Sequence, residues 1–148
     1  MSDVNAQVRV VLEDYLFAAD LEDYDLMADC FTDDADVSYD LKPHKFVGGR
    51  ALAEWVAAAH ARSRSVRTHV MANCHIAREG AMVRAVSNVL ATLAIPTESG
   101  YDIKVRGLRY DDELVETERG WKISRRTHIP LWQYEATGDA LMDIARKK

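Results

Sequence analysis

The first part of the chain places apolar side chains at the spacing of amphipathic helices. Between residues 8 and 19 they recur every three or four positions, which predicts a first helix of about four turns. Asp23 is placed to cap a second, shorter helix over 25–31, and a third helix over 50–61 is dense in strong helix formers. Between these helices the pattern predicts a brief strand over 35–39 and a loop over 41–49.

From residue 66 onward the pattern becomes that of extended strands. Four segments are rich in Val, Ala, Thr and other residues that favour strands, and they cover 66–77, 81–95, 104–116 and 121–131. Tight turns are predicted at 79–80 and 117–120, with a loop at 96–100. A short helix over 140–146 is predicted to close the chain.

Helices followed by a run of strands indicate an α+β fold rather than an alternating βαβ fold. A strongly curved antiparallel or mixed sheet of long strands has an apolar concave face, and the N-terminal helices are the elements available to cover it. We therefore predict a cone that encloses a hydrophobic pocket. Because no repeat, linker or low-complexity tract divides the chain, residues 1–148 are predicted to form one domain.

Composition narrows the possible partners. The 148 residues are 48% apolar, enough for one core, and Lys+Arg 19 against Asp+Glu 24 leaves a net charge of −5. Without a dominant basic field, neither nucleic acid nor an anionic membrane is expected as a partner. No apolar run suits a membrane span, and the acidic N-terminus does not resemble a signal peptide. Cys30 and Cys74 fit neither a disulfide nor a zinc pattern, which favours buried thiols, a cytoplasmic protein and no metal site.

Two polar residues stand where apolar ones are expected. Asp20 lies at the end of the first helix, where a carboxylate opposes the helix macrodipole and needs a partner. His69 lies in the strand VRTHVMANCHI, where alternation places it on one face with Met71, Asn73 and His75. Histidine titrates near neutral pH, and a carboxylate on one ring nitrogen would orient it for proton transfer. The alternative interpretation is a solvated acid and a structural histidine.

Phenols and arginines are the other candidates for stabilising oxygen charge. Tyr15, Tyr39 and Tyr110 could each donate a hydrogen bond to an oxyanion, or could simply fill core space. Arg125 and Arg126 are consecutive on a strand, so that one at most is expected to enter the pocket.

The remaining histidines and a tryptophan carry weaker signals. His128 and Trp132 lie where the last strand could close the pocket mouth or form a subunit contact. His44, His60 and His75 are assigned no function.

Four segments together resemble the SnoaL-like branch of the nuclear-transport-factor-2-like superfamily. They are AADLEDYDLMADCFTDDADV, FVGGRALAEW, RTHVMANCHI and GLRYDDELVETERGWKISRR, and the resemblance extends from about Val8 to Arg126. Within this superfamily the chain is most similar to scytalone dehydratase, hexachlorocyclohexane dehydrochlorinase and bile acid 7α-dehydratase. The resemblance implies the cone fold and an active site without a cofactor.

The resemblance also implies roles for individual residues. In those enzymes an aspartate at the end of the first helix pairs with a histidine on the first long strand, and Asp20 and His69 match them. Tyr15 and Arg126 match the tyrosine and arginine of the bile acid enzyme, with Arg125 as the alternative if the strand carries a bulge. Tyr39 resembles a tyrosine that holds the catalytic water in scytalone dehydratase. The substrate-binding set is completed by Asn73, Tyr110, Trp55 and Asn88.

These observations predict a cofactor-independent lyase, specifically a dehydratase, that acts on a hydrophobic aromatic or polycyclic hydroxylated small molecule by histidine–aspartate acid–base catalysis. One alternative uses the same histidine–aspartate pair, either in a lyase that releases formaldehyde from lignin-derived aromatics or in an isomerase. The other is a non-catalytic binding or scaffold subunit related to the β subunits of ring-hydroxylating dioxygenases. An exposed sheet face on a small cone favours a homodimer or homotrimer.

Overall fold

A computed structural model describes residues 3–39 and 44–139 of the chain. Its helices are α1 (Val4–Leu21), α2 (Tyr24–Asp29) and α3 (Gly49–Ser63). Its strands are β1 (Phe31–Tyr39), β2 (His44–Val47), β3 (Val66–Glu79), β4 (Met82–Pro96), β5 (Tyr101–Thr117) and β6 (Gly120–Gly138). The predicted α+β class and the predicted order of helices before the long strands are confirmed.

The six strands form one mixed sheet in the order β2-β1-β6-β5-β4-β3. Strand β1 runs parallel to β6, and all other neighbouring strands are antiparallel. The sheet is curved and does not close, and α1 and α3 pack against its concave side. The predicted cone is therefore confirmed, with the hydrophobic core between the helices and the sheet.

The ends of some helices and strands differ from the prediction where pairing between strands far apart in sequence decides them. Helix α2 ends at Asp29 rather than at 31, because Phe31 already belongs to β1 and pairs with Ile123 of β6. The predicted loop over 41–49 contains the short edge strand β2, which pairs with β1. Strand β6 continues to Gly138, past the predicted end at 131. The predicted helix over 140–146 lies outside the described residues.

Three β-bulges bend the long strands. One lies in β3 between Met71 and Cys74, and β6 carries two, at Ser124 and at Leu131. A bulge adds one residue to one strand of a pair, which bends that strand and increases its twist. These bulges help the sheet curve around the helices, and each one changes which side chains face the core.

The bulge in β3 corrects the predicted alternation along that strand. His69 and Met71 share the concave face as predicted, but beyond the bulge Cys74 takes the inward position. Asn73 and His75 are exposed. The prediction that His69, Met71, Asn73 and His75 share one face is therefore wrong for the last two residues. Simple alternation assumes an uninterrupted ladder of paired residues, and the bulge interrupts it.

The helices begin and end as local sequence rules require. The Asp23 side chain caps α2 by accepting a hydrogen bond from the Leu26 backbone N–H at 3.0 Å, as predicted. Helix α1 ends at Leu21, and the following residue, Glu22, has a φ of 59°, the left-handed conformation that stops a helix. Among residues 3–39 and 44–139, no helix is both long and apolar enough to cross a membrane.

The two cysteines are free thiols in different surroundings. Cys30 is buried, and Cys74 is half-buried. Burial raises the pKa of Cys30 to about 12, so its thiol stays protonated at neutral pH and is a poor nucleophile. In the described part of the chain, no three His, Cys, Asp or Glu side chains are grouped as they would be to hold a metal ion.

Candidate active site

Asp20 and His69 form the centre of the candidate site. Asp20 lies in the last turn of α1, and His69 lies near the start of β3. The His69 Nδ1 atom is 2.6 Å from Asp20 Oδ1, and the His69 backbone N–H donates to Asp20 Oδ2 at 2.9 Å. Because an ionised carboxylate only accepts hydrogen bonds, this contact requires a proton on Nδ1, and in the neutral ring the lone pair is then on Nε2. The partner expected for a carboxylate at a helix C-terminus is therefore the ring and backbone of His69.

Arg67 joins the end of α1 to the start of β3. Its buried guanidinium donates to the backbone oxygens of Ala19 at 3.2 Å and Ser65 at 2.6 Å, and to Glu22 Oε1 at 2.9 Å. A cation that binds a terminal carbonyl is favourable at the C-terminal end of a helix. Arg67 thus helps fix the helix end that carries Asp20 relative to the strand that carries His69. Sequence analysis missed it, although it lies two residues before His69 and so shares its face.

A cavity of about 300 Å³ lies between α3 and the concave face of the sheet. His69 lies on its wall together with Tyr39 and Trp55, which were predicted to bind substrate. Six of the twelve other lining residues are apolar, namely Val56, Ala59, Ala91, Leu93, Ile95 and Leu108, and the other six are polar or charged. The structure therefore places His69 of the histidine–aspartate pair on the wall of a chamber with a mixed apolar and polar lining.

Tyr15, Tyr110 and Arg126 form a buried layer that does not line this cavity. The Arg126 guanidinium carbon lies 4.1 Å from the Tyr15 ring centre and 4.2 Å from the Tyr110 ring centre. Two hydrogen bonds of 2.7 Å join Arg126 to Asp112, and both side chains are buried. Tyr39 hydrogen-bonds with Tyr15 and Tyr110, so it links the buried layer to the cavity.

The choice between Arg125 and Arg126 is decided by the bulge at Ser124. Arg126 faces the interior, whereas Arg125 faces outward and pairs with Glu113 at 3.2 Å. Ile123 also faces the interior, so unbroken alternation from Ile123 would have sent Arg125 inward. The extra residue in the strand reverses that outcome, so the prediction that a bulge would turn Arg125 inward is wrong.

Asn73 and Asn88 lie on the outer face of the sheet. Asn88 Nδ2 donates to Asn73 Oδ1 at 2.8 Å, and Arg109 Nε donates to Asn88 Oδ1 at 3.0 Å. Neither asparagine lines the cavity, so the structure does not bring these two predicted substrate-binding residues to the site. The β3 bulge turns Asn73 outward, and Asn88 lies at an outward-facing position of β4 opposite Arg109.

Two further histidines line the cavity: His128, which the sequence placed either at the pocket mouth or in a subunit contact, and His60, which was assigned no function. His128 is buried and stacks on Tyr39, with ring centres 4.0 Å apart and ring planes within 5°. His60 Nδ1 is 2.9 Å from the Tyr24 hydroxyl. The position of His128 could have been inferred, because it lies two residues after the inward-facing Arg126 on the same strand.

Burial and the nearby Arg67 cation lower the pKa of His60 from 6.5 to about 4. Unfolded protein therefore takes up a proton at this residue as pH falls through 6.5, whereas folded protein does so only near pH 4. Stability that is present above pH 6.5 is lost over this window. We expect a loss of about 1–2 kcal/mol at His60, a value reduced for screening because the ring is partly exposed.

Urea denaturation of wild type and His60→Gln at pH 7 and pH 4 measures this contribution. Glutamine keeps an acceptor for the Tyr24 hydroxyl but does not titrate. We expect the variant to lose less stability than wild type between the two pH values. Equal losses would show that His60 titrates normally in the folded protein.

A family model places this fold among known proteins. The model of the SnoaL-like domain matches residues 2–127, which is most of the chain. The chain belongs to the SnoaL-like family. No curated protein matches its sequence significantly.

Solved structures with the same fold include one named as a dehydrochlorinase and one named as a candidate dehydratase. Hexachlorocyclohexane dehydrochlorinase LinA-type3 from Novosphingobium barchaimii superposes with a TM-score of 0.80 at 15% identity, over 93% of each chain. A protein named as a candidate scytalone dehydratase from Novosphingobium aromaticivorans gives a TM-score of 0.74 at 21% identity, over 100% of each chain. ActVI-ORFA from Streptomyces coelicolor gives 0.73 at 15% identity, over 86% of this chain and 98% of the other. At these identities the similarity establishes the SnoaL-like fold.

Proposed function

We propose that this SnoaL-like chain is a cofactor-independent lyase, specifically a dehydratase that acts on a hydroxylated aromatic small molecule. The observation that carries the proposal is the 2.6 Å contact between His69 Nδ1 and Asp20 Oδ1, with His69 on the wall of a cavity that is partly apolar. A paired histidine of this kind is oriented to accept a proton at Nε2. The similarity in fold to a dehydrochlorinase supports elimination as the reaction type.

In the proposed reaction, His69 Nε2 removes a proton from a carbon next to a carbonyl group. The electron pair of the broken C–H bond forms a C=C bond, and the C–O bond to the hydroxyl group on the neighbouring carbon breaks. The His69 imidazolium, stabilised by Asp20, returns its proton to the departing hydroxyl group, which leaves as water. Atoms and charges balance without an external oxidant or reductant.

Tyr39 is the proposed donor to the substrate carbonyl oxygen. It is the tyrosine of the three predicted ones that lines the cavity, and it hydrogen-bonds with Tyr15 and Tyr110 behind it. A preorganised donor of this kind stabilises the oxygen charge that develops in the transition state. Tyr15 and Arg126, which the resemblance matches to catalytic residues, are proposed to act through Tyr39 as positioning residues.

The cavity volume narrows the proposed substrate. A volume of about 300 Å³ is at the lower end of the range of roughly 300–1,000 Å³ for small-molecule pockets. It favours compounds of one or two aromatic rings over larger polycyclic compounds. Edge-to-face packing of Trp55 on Tyr39, with ring centres 5.2 Å apart, provides an aromatic wall for such a ring.

Proton exchange and product analysis test this proposal. Wild-type protein is incubated in D2O with a panel of β-hydroxy aryl ketones and followed by proton NMR and ultraviolet absorbance. We expect deuterium at the carbon next to the carbonyl, loss of water and the absorbance of a conjugated enone. Exchange with a moved double bond and no loss of water would indicate the isomerase instead, and release of formaldehyde from lignin-derived diaryl compounds would indicate the other lyase. Binding of these compounds without any exchange would favour the non-catalytic binding module.

We also propose that the outer face of the sheet mediates self-association. Val70, Leu90, Gly107 and Trp132 pair in one row across β3 to β6, and Trp132 stacks beside Tyr134. The side chains of Val70, Leu90, Trp132 and Tyr134 are 40–58% exposed, and an apolar patch of this kind is unusual on a monomeric protein. A Cβ atom on Gly107 would lie 2.3 Å from the Trp132 ring, so glycine is required for the ring to lie flat across the strand.

Analytical ultracentrifugation of Trp132→Glu tests this surface. We expect wild type to sediment as a dimer or trimer and the variant as a monomer, because a charge in an apolar interface loses its hydration. Val10→Glu is the matched control, since Val10 is 54% exposed on α1, away from the sheet face. A monomeric wild type, or association that survives in Trp132→Glu, contradicts the proposal.

A further inference from the structure

The lining of the cavity includes cations although the whole chain has a net charge of −5. Among the described residues that line it, three are cationic, namely Arg67, Lys104 and Arg106, and none is Asp or Glu. Walls of low dielectric focus such a field and raise the local concentration of ligands of opposite charge. A lining cation that is not paired with a protein carboxylate therefore favours an anionic ligand over a neutral one.

Arg106 is the cation best placed to bind that ligand. The Arg67 guanidinium already binds Glu22 and two backbone oxygens, and the Lys104 ammonium lies 3.5 Å from Glu135 Oε1. Arg106 Nε donates to the neutral Gln133 Oε1 at 2.6 Å, and within residues 3–39 and 44–139 its guanidinium forms no ion pair. Its charge is thus not neutralised by a protein carboxylate, and the planar fork of an arginine suits a carboxylate.

Strand register sets the distance between Arg106 and the proposed base. Ala91 of β4 pairs with His69 on one side and with Arg106 on the other, so the three form one row across the concave face. Since neighbouring strands lie about 4.8 Å apart, the backbones of His69 and Arg106 are roughly 10 Å apart. The small Ala91 side chain between them leaves room for one or two flat rings.

We propose that Arg106 selects substrates by binding a carboxylate group at one end of an aromatic ring system. The other end of that ring system then lies against His69, where the proton is removed. The substrate class is therefore an aromatic carboxylate, and Arg106 is a specificity-determining residue two strands away from the base. This inference names the substrate class of the lyase proposed above and rests on it for the chemistry at His69.

Calorimetric titration with 2-naphthoate and 2-naphthamide tests the inference, because the two compounds share a ring system and differ in charge. We expect wild type to bind 2-naphthoate about tenfold or more tightly than 2-naphthamide. Arg106→Gln should abolish this preference. Arg109→Gln is the matched control, since it removes the same charge from the same strand on the outer face, and it should keep the preference.

Three results would overturn the inference: equal affinity of wild type for both compounds, a preference that survives in Arg106→Gln, or binding of neither compound.

The variant His69→Gln separates this inference from the proposed function, because binding of the carboxylate does not require proton transfer. His69→Gln should therefore keep the tenfold preference. If the preference holds but no hydroxylated aromatic is converted, the lyase proposal fails alone; if carboxylate and amide substrates are converted equally well, the role of Arg106 fails alone.

Discussion

His69→Gln is expected to lower kcat by about 10²–10⁴-fold, the usual contribution of a positioned general base. Glutamine can still donate to Asp20 through its amide, but it has no basic nitrogen to take the place of Nε2. His75→Gln is the matched control, because His75 is exposed on the same strand beyond the bulge. Steady-state kinetics on the converted hydroxy ketone, with circular dichroism to verify folding, makes the comparison.

Asp20→Asn tests the other half of the pair by changing one atom. The carboxylate accepts from both the ring Nδ1–H and the backbone N–H of His69. An asparagine amide can donate to Nδ1, which favours the tautomer that carries its proton on Nε2 and removes the base. We expect kcat to fall by about 10²–10⁴-fold here as well. Full turnover in folded samples of both variants would exclude the pair from the mechanism.

Arg126→Met is expected to produce the largest loss of stability, about 3–5 kcal/mol. Arg126 and Asp112 are 1% and 0% exposed, so removal of the cation leaves a buried carboxylate without a counter-charge. The variant also loses the contact of the guanidinium with the Tyr15 and Tyr110 rings. For a protein of this size, the melting temperature of Arg126→Met, measured by thermal denaturation, should then be about 6–20 °C below that of wild type.

The neighbouring arginine provides the control for this experiment. Arg125 is exposed and pairs with Glu113 at the surface, and Arg125→Met should cost at most about 1 kcal/mol. The double variant Arg126→Met/Asp112→Leu removes both buried charges and should recover much of the lost stability. Equal melting temperatures for Arg125→Met and Arg126→Met would contradict the assignment of the buried pair.

Much of the fold and the central contact of the site could be predicted from local patterns. Helical and extended periods depend on residues close in sequence, so they predicted three helices and four long strands. A carboxylate at the end of α1 needs a partner for electrostatic reasons, and the family resemblance suggested His69. The structure brings Asp20 and His69 within 2.6 Å of each other, although their roles in a reaction stay a prediction.

Other parts of the site depended on contacts between strands far apart in sequence. Simple alternation along β3 placed Asn73 on the same face as His69, but a bulge opposite β4 turned it to the other face. The bulge at Ser124 likewise decided that Arg126, and not Arg125, faces the interior. An extra residue in a strand is defined only by the register of its partner, so no local pattern encodes it.

The sequence alone thus determined the order of the elements, the apolar faces that pack together and the acid at the end of α1. Only the tertiary structure decided that Tyr15 and Arg126 lie beneath the cavity, and that Arg106 lies in one row with His69 across β4. The physical reason is the separation in sequence between the interacting residues. Periodicity and helix capping depend on neighbours along the chain, whereas the residues that line a cavity depend on the register and curvature of the whole sheet.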